Sequence, residues 1–229
     1  MPTLILDTSL ATAEIAIYDN GKFLKKKNSK TNSHIEELDS LVDEVLHLAN
    51  RSLEDISRII IGSGPGSFTG LRIGYSYAIG LASGLKIPLI KHNTSKAITY
   101  KFYEKYKLVL TLLDARRNEY FASFYLNKDQ TNDFSELESL IHNNILSREE
   151  VLTEIKMFQD QYQISNSEIL IISDQIFDSK YMNSTEISIV EGLLEQDKTN
   201  KLKDYNLLEI STLEPDYVRA VSALKICER

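Results

Sequence analysis

Residues 59–75 read IIIGSGPGSFTGLRIGY. Three isoleucines form an apolar run, and Gly62, Gly64, Gly66, Gly70 and Gly74 follow within the next few positions. A glycine-rich loop between a strand and a helix is the usual cradle for a phosphate, because backbone amides and the helix N-terminus both favour an anion. The spacing, however, fits neither common cradle. A P-loop requires lysine and then a hydroxyl after its last glycine, and here Leu71-Arg72 follows Gly70. A dinucleotide fingerprint requires G-x-G-x-x-G, and the third position falls on Ser67 or Thr69 in the two possible frames. What remains is a loop whose backbone approaches something closely, with Ser67 and Thr69 as candidate helix caps.

Beyond the loop, Gly70, Gly74, Ala78 and Ala82 recur every four residues and form one stripe of a helix expected over Thr69–Ser83. Each glycine inside a helix costs about 1 kcal/mol relative to alanine, so close contact should offset it. Close packing within the fold meets that requirement, and so does docking against another chain. Arg72 is the only formal charge between Arg58 and Lys86. It is placed to pair with Asp7, an anion or a partner's carboxylate.

Working outward, Thr3–Leu6 reads as a buried strand that ends in Asp7-Thr8-Ser9. Thr12–Tyr18 alternates, Asp19-Asn20-Gly21 turns the chain, and Lys22–Lys27 returns as a lysine-rich edge strand. Ile35, Leu38, Val42, Val45 and Ala49 have helical spacing, with Asn32 or Ser33 as the cap. Ser57–Ile61 and Pro88–Lys91 read as strands and Thr94–Tyr106 as a helix. A second unit begins at residue 108. Leu108–Leu113 and Tyr120–Leu126 form a hairpin over Asp114–Glu119, then a helix is expected around Ser147–Gln159 and a strand at Glu168–Ser173. Residues 179–206 are poorly patterned. Each half begins with strands and continues to helix, as a duplicated α/β unit would, with subdomains at 1–107 and 108–229.

Charge separates the halves. Residues 1–107 carry 14 Lys and Arg against 11 Asp and Glu, and residues 108–229 carry 12 against 22. The acidic second half is a poor match for extensive nucleic-acid contact. The single cysteine, Cys227, excludes an internal disulfide, and neither a signal peptide nor a membrane span is expected. A cytoplasmic location follows as an expectation. The four histidines, His34, His47, His92 and His142, make no His-x-x-x-His pair. Ser67 lies outside a G-x-S-x-G elbow. Asp7-Thr8-Ser9, where a carboxylate and two hydroxyls follow a strand, is the most interesting polar site, either for a metal-bound phosphate or as a turn cap.

Gly64-Pro65-Gly66-Ser67-Phe68-Thr69-Gly70-Leu71-Arg72-Ile73-Gly74 resembles the signature of the bacterial TsaB family, also called YeaZ. Supporting matches are Leu6-Asp7-Thr8-Ser9, Asp114-Ala115-Arg116-Arg117 and Pro215-Asp216-Tyr217-Val218-Arg219. Asn118 stands where the family often has glycine, and residues 127–200 carry no match. The resemblance implies an α/β actin-like, hexokinase-like ATPase (ASKHA) fold of two related subdomains. It also implies a role in making N6-threonylcarbamoyladenosine in tRNA, as a non-catalytic partner of the transferase TsaD, joined by the ATPase TsaE, with a homodimer when alone. On that reading Gly70, Arg72, Gly74, Ala78 and Ala82 are partner-interface residues. Asp7, Thr8, Ser9, Ser67 and Thr69 are a vestigial nucleotide site. The chain has no metal or intrinsic cofactor, and ATP and metal belong to the partners. The competing readings are an ATP-using transferase or kinase of the same fold, and a metalloprotease.

Overall fold

A computed structural model describes residues 1–28, 34–173, 176–185, 187–199 and 213–217. The first unit runs β1 (Thr3–Asp7), β2 (Glu14–Asp19), β3 (Lys22–Asn28), α1 (His34–Leu48), β4 (Arg58–Gly62), α2 (Phe68–Leu85), β5 (Leu89–His92) and α3 (Thr94–Thr99). The second runs β6 (Leu108–Asp114), β7 (Glu119–Leu126), β8 (Glu138–Ser147), α4 (Arg148–Tyr162), β9 (Ile169–Ser173), β10 (Met182–Ser184) and α5 (Val190–Thr199). The sheet orders are β3-β2-β1-β4-β5 and β8-β7-β6-β9-β10, which is one topology used twice. In each, two antiparallel pairs lead in, and a parallel strand follows a crossover helix. The duplicated α/β arrangement is therefore present. The helix between β4 and β5 has no described counterpart between β9 and β10.

Period-2 alternation assigns the layers. In the first sheet, Leu4, Leu6, Ile15, Ile17, Ile59 and Ile61 face α1 and α2. Ile5, Ala16, Ile60 and Ile90 face the other way, onto α3 and α5. In the second sheet, Val109, Leu113, Leu170 and Ile172 meet that same helix pair, while Leu110, Phe124 and Ile171 face α4. Strands buried on both faces read as continuous apolar runs, as Ile59-Ile60-Ile61 does. Fully burying each such side chain contributes about 1.5–3 kcal/mol.

The helices α3 and α5 thus lie between the two sheets, and α5 belongs by packing to both halves. Glu14 Oε2 on β2 accepts hydrogen bonds from Ile189 N (2.8 Å) and Val190 N (3.2 Å), placing a carboxylate at the N-terminus of α5. At its other end, the Gln196 side chain donates to Asn93 O and accepts from Asn93 N. Asp197 pairs with Arg58 at 2.7 Å and His92 at 3.4 Å. Residues 213–217 return to the first unit as well, with Leu213 in its core. The second sheet begins at Leu108, but α5 and Leu213 pack with the first unit as well.

Several elements differ from expectation. The lysine-rich β3 is an edge strand, as read. The expected caps Asn32 and Ser33 lie outside the described residues. The helix after β5 stops at Thr99, and residues 100–105 continue as turns that bring Tyr100 and Tyr103 against Phe134. The ten-residue β8 was hidden in a polar stretch. The tip of the β6–β7 hairpin puts Arg116, Arg117 and Asn118 all at positive φ.

Two outcomes test this account. A Cβ at Gly192 on α5 would meet Ala97 O at 2.0 Å, so Gly192→Ala should cost about 1–3 kcal/mol in urea unfolding, as overpacking does. The Arg51 guanidinium, 2.8 Å from the buried Asp19, holds that carboxyl below its ordinary value. Its folded pKa is depressed, so the stabilisation is complete above about pH 4 and is lost as pH falls further. Arg51→Gln should therefore lower the urea midpoint at neutral pH and converge with the wild type in acid.

Candidate functional site at the glycine loop and helix α2

The loop after β4 folds back on the turn after β1. A Cβ at Gly66 would lie 2.2 Å from Ser9 O, and one at Gly62 would collide with the Asp7 carboxylate. Asp7 is fully buried. Its Oδ1 accepts from Ser9 N (2.8 Å) and Ser9 Oγ (2.6 Å), and its Oδ2 accepts from Thr94 Oγ1 (2.7 Å). Thr94 Oγ1 in turn accepts from Gly64 N at 3.1 Å, and Thr94 N donates to Gly64 O. One carboxylate thereby ties the end of β1, the loop and the start of α3 together.

A phosphate cradle needs loop amides that point at the ligand. Here Ser63 N donates to His92 O, Gly64 N to Thr94 Oγ1, Ser67 N to Ser9 O and Gly70 N to Ser67 Oγ. Asp7, Thr8 and Ser9 are buried, while Ser67 and Thr69 are exposed on the first turn of α2. Of the five residues expected to form a vestigial nucleotide site, Ser9 bonds both Asp7 and Ser67, and Thr8 bonds Gly70 O. The amides of Ser63, Gly64, Ser67 and Gly70 are thus turned to the chain's own oxygens. Ser67 is the N-cap, as read; Thr69 is not.

The small-residue stripe needs a correction. Gly70, Gly74, Ala78 and Ala82 are all buried inside this chain. A Cβ at Gly70 would meet Thr8 O at 2.1 Å, and one at Gly74 would meet Thr8 Oγ1 at the same distance. Thr8 Oγ1 donates to Gly70 O at 2.8 Å, so the helix rides on the β1 turn. The stripe packs α2 against its own β1 turn and is buried there.

The opposite face of α2 is open. Arg72, Ser76, Gly80, Ser83 and Gly84 are exposed, with Ile73 and Tyr77 half-buried beside them. Nothing lies within 4 Å of a Cβ at Gly80 or Gly84. Tyr77 Oη donates to Asp39 on α1 at 3.1 Å. Burial first, then the adjacent Asp39 carboxylate, raises the Tyr77 phenol well above its ordinary value, so it stays a donor. Arg72 is not paired with Asp7, as one reading allowed. Its guanidinium lies 4.0 Å over the Phe68 ring, and Nε donates to Tyr217 Oη at 3.4 Å.

Tyr217 belongs to a strap that the sequence showed only as a motif without a role. Asp216 N donates to Ser63 O at 3.0 Å, and the Asp216 carboxylate meets Lys91 Nζ at 2.7 Å. Thr94, Lys91 and the strap are the site residues that sequence reasoning missed. Their partners lie tens of residues away, and no local period marks them.

Among the described residues no three His, Cys, Asp or Glu side chains gather as metal ligands, and no helix is long and apolar enough to cross a membrane. His92 is buried against Asp197, whereas His47 and His142 are exposed on α1 and β8.

The family model for tRNA N6-adenosine threonylcarbamoyltransferase (TsaD) matches residues 28–178. A tRNA threonylcarbamoyladenosine biosynthesis protein TsaB from Haemophilus influenzae is 28% identical over 158 residues, 67% of either chain. The TsaB of Escherichia coli K12 is 32% identical over 127 residues, 55% of either chain. These matches span between about half and two thirds of the relatives' length. The solved structure of YeaZ from Pseudomonas aeruginosa superposes with a TM-score of 0.72 at 20% identity, covering 94% of this chain and 99% of that one, and so shares the fold.

The inward stripe makes a specific prediction. Gly74→Ala should lower thermal and urea stability, by about 1–3 kcal/mol, through its clash with Thr8. Thr8→Ala, which removes the clashing atom, should recover part of that loss in the double variant, measured as a thermodynamic cycle.

Proposed function

Since the chain belongs to the TsaD family and its relatives there include TsaB proteins, we propose that it serves N6-threonylcarbamoyladenosine modification of tRNA as a non-catalytic partner. Its role is to bind and activate a TsaD-like transferase. A TsaE-like ATPase joins the pair, ATP and metal reside on those partners, and the modified tRNA is the substrate of the whole assembly. A cytoplasmic location suits that substrate. The same surface closes a homodimer when the chain is alone.

One observation carries the non-catalytic reading. Asp7 is buried, and the loop amides of Ser63, Gly64, Ser67 and Gly70, which a phosphate cradle would turn to its ligand, are engaged internally. An arrangement already satisfied by itself gains nothing from a nucleotide and is rigid instead. What the rigidity supports is the outer face of α2. That face is nearly free of charge and lined by small side chains at Ser76 and Gly80, with Ile73 and Tyr77 as apolar flanks. A helix face with small side chains lets a second helix approach closely, and docking is assigned to it in place of the buried stripe.

Gly80→Arg tests the assignment, because the position is open in the isolated chain. The variant should fold with an unchanged melting temperature, or a slightly higher one, since arginine is the better helix former. It should lose co-purification with the cell's TsaD-like protein, and the pair's tRNA modification should fall to the level of the transferase alone. Wild-type pairing by the folded variant would remove this face from the interface. Calorimetry with millimolar ATP and magnesium should show no binding to the isolated chain; a saturable heat would favour an ATP-using enzyme instead.

A further inference from the structure

Arg72 is the one charged residue on α2. Its planar group is held from two sides, by the Phe68 ring beneath it at 4.0 Å and by Tyr217 Oη on Nε at 3.4 Å. The Tyr217 ring also packs on Phe68, with centroids 5.1 Å apart. Tyr217 is in turn fixed by its neighbours. Leu213 enters the core, Asp216 N bonds Ser63 O, and Lys91 clamps both the Asp216 carboxylate and Glu214 O. Among the described residues no carboxylate lies within ion-pairing distance of Arg72, which is exposed on the same side of α2 as Ser76 and Gly80.

We propose that the strap of residues 213–217 holds Arg72 as a preformed fork for a carboxylate of the docked transferase-like protein. This rests on the docking reading above. With Nε engaged by Tyr217, the two terminal amino groups are left to donate, and a carboxylate matches such a fork in two parallel hydrogen bonds. Stacking has already restricted the side chain, so less rotamer freedom is lost on binding. The site opens the second turn of an 18-residue helix, close to an N-terminus that also favours negative charge. A single carboxylate suits this place better than a tRNA backbone. The neighbouring α1 exposes Asp39, Asp43 and Glu44, and the chain carries a net charge of −7, both of which repel a run of phosphates. Tyr217 is accordingly a positioning residue that acts through Arg72.

The test measures pairing of the full chain with its transferase-like partner by calorimetry at low and high salt. Arg72→Glu should weaken pairing by about tenfold or more, with an unchanged melting temperature and a flattened salt dependence. Arg72→Lys, which keeps the charge but not the fork, should fall between it and the wild type. Tyr217→Ala should weaken pairing several-fold, and Tyr217→Phe less. In an Arg72→Ala background, Tyr217→Ala should have no further effect, whereas a merely structural tyrosine would still cost affinity there. If Arg72→Glu pairs as wild type while Gly80→Arg does not, docking on α2 stands and the fork is wrong. Wild-type pairing by both variants overturns the docking reading and the fork together. Unchanged pairing with weaker retention of tRNA by the Arg72→Glu complex would assign Arg72 to phosphate and overturn the carboxylate.

Discussion

The contact on which most else depends is the close approach of α2 to the turn after β1. Thr8 lies so near the helix that a methyl group at Gly70 or Gly74 would collide with it. That proximity lets Thr8 bond Gly70 O and brings the loop before α2 over Ser9. Asp7 can then be buried at a reduced cost, because the hydroxyls of Ser9 and Thr94 donate to its oxygens. Remove the glycines and the helix must lift, the loop loses its seat, and a buried carboxylate loses its partners.

The same closure explains why a phosphate-type loop here reads as a scaffold. The amides of Ser63, Gly64, Ser67 and Gly70 are committed within the chain, and the loop thereby shapes the start of α2. The strap and Lys91 complete it from outside, fixing Phe68 and Arg72. The chain belongs to the family of tRNA N6-adenosine threonylcarbamoyltransferase, and the proposed role of presenting a surface accords with a site of this kind. The second half supports the first through α5, whose ends are bonded to β2 and to the β5–α3 junction.

Much of the fold was legible. The isoleucine run, the alternation in β2 and the hairpin of β6 and β7 each have a period that a strand imposes, and all three are present. The strand β8 was not legible, for a physical reason. Its pairing with β7 slips around Ala122–Tyr125, and Asn143 takes a positive φ and bonds Ser123 from a buried position. An irregular ladder with a buried amide breaks the apolar alternation. In α5 the buried Gln196 and Asp197 bond across to the first unit, so the helix lacks a simple apolar face. The small-residue stripe was read correctly as a sign of close contact, but its partner was misassigned.

By itself the sequence determined that two α/β halves exist, that a glycine loop precedes a helix needing close contact, and that the motifs are those of a known family. These are local facts: period, glycine spacing and short motifs are written along the chain. Only the tertiary structure decided which face of α2 is inside, that Asp7 answers to Thr94, and that residues 213–217 hold Arg72. Small residues at a four-residue spacing mark a helix face but not the direction it points. That direction is set by what the rest of the chain packs against it, and here it is the Thr8 turn.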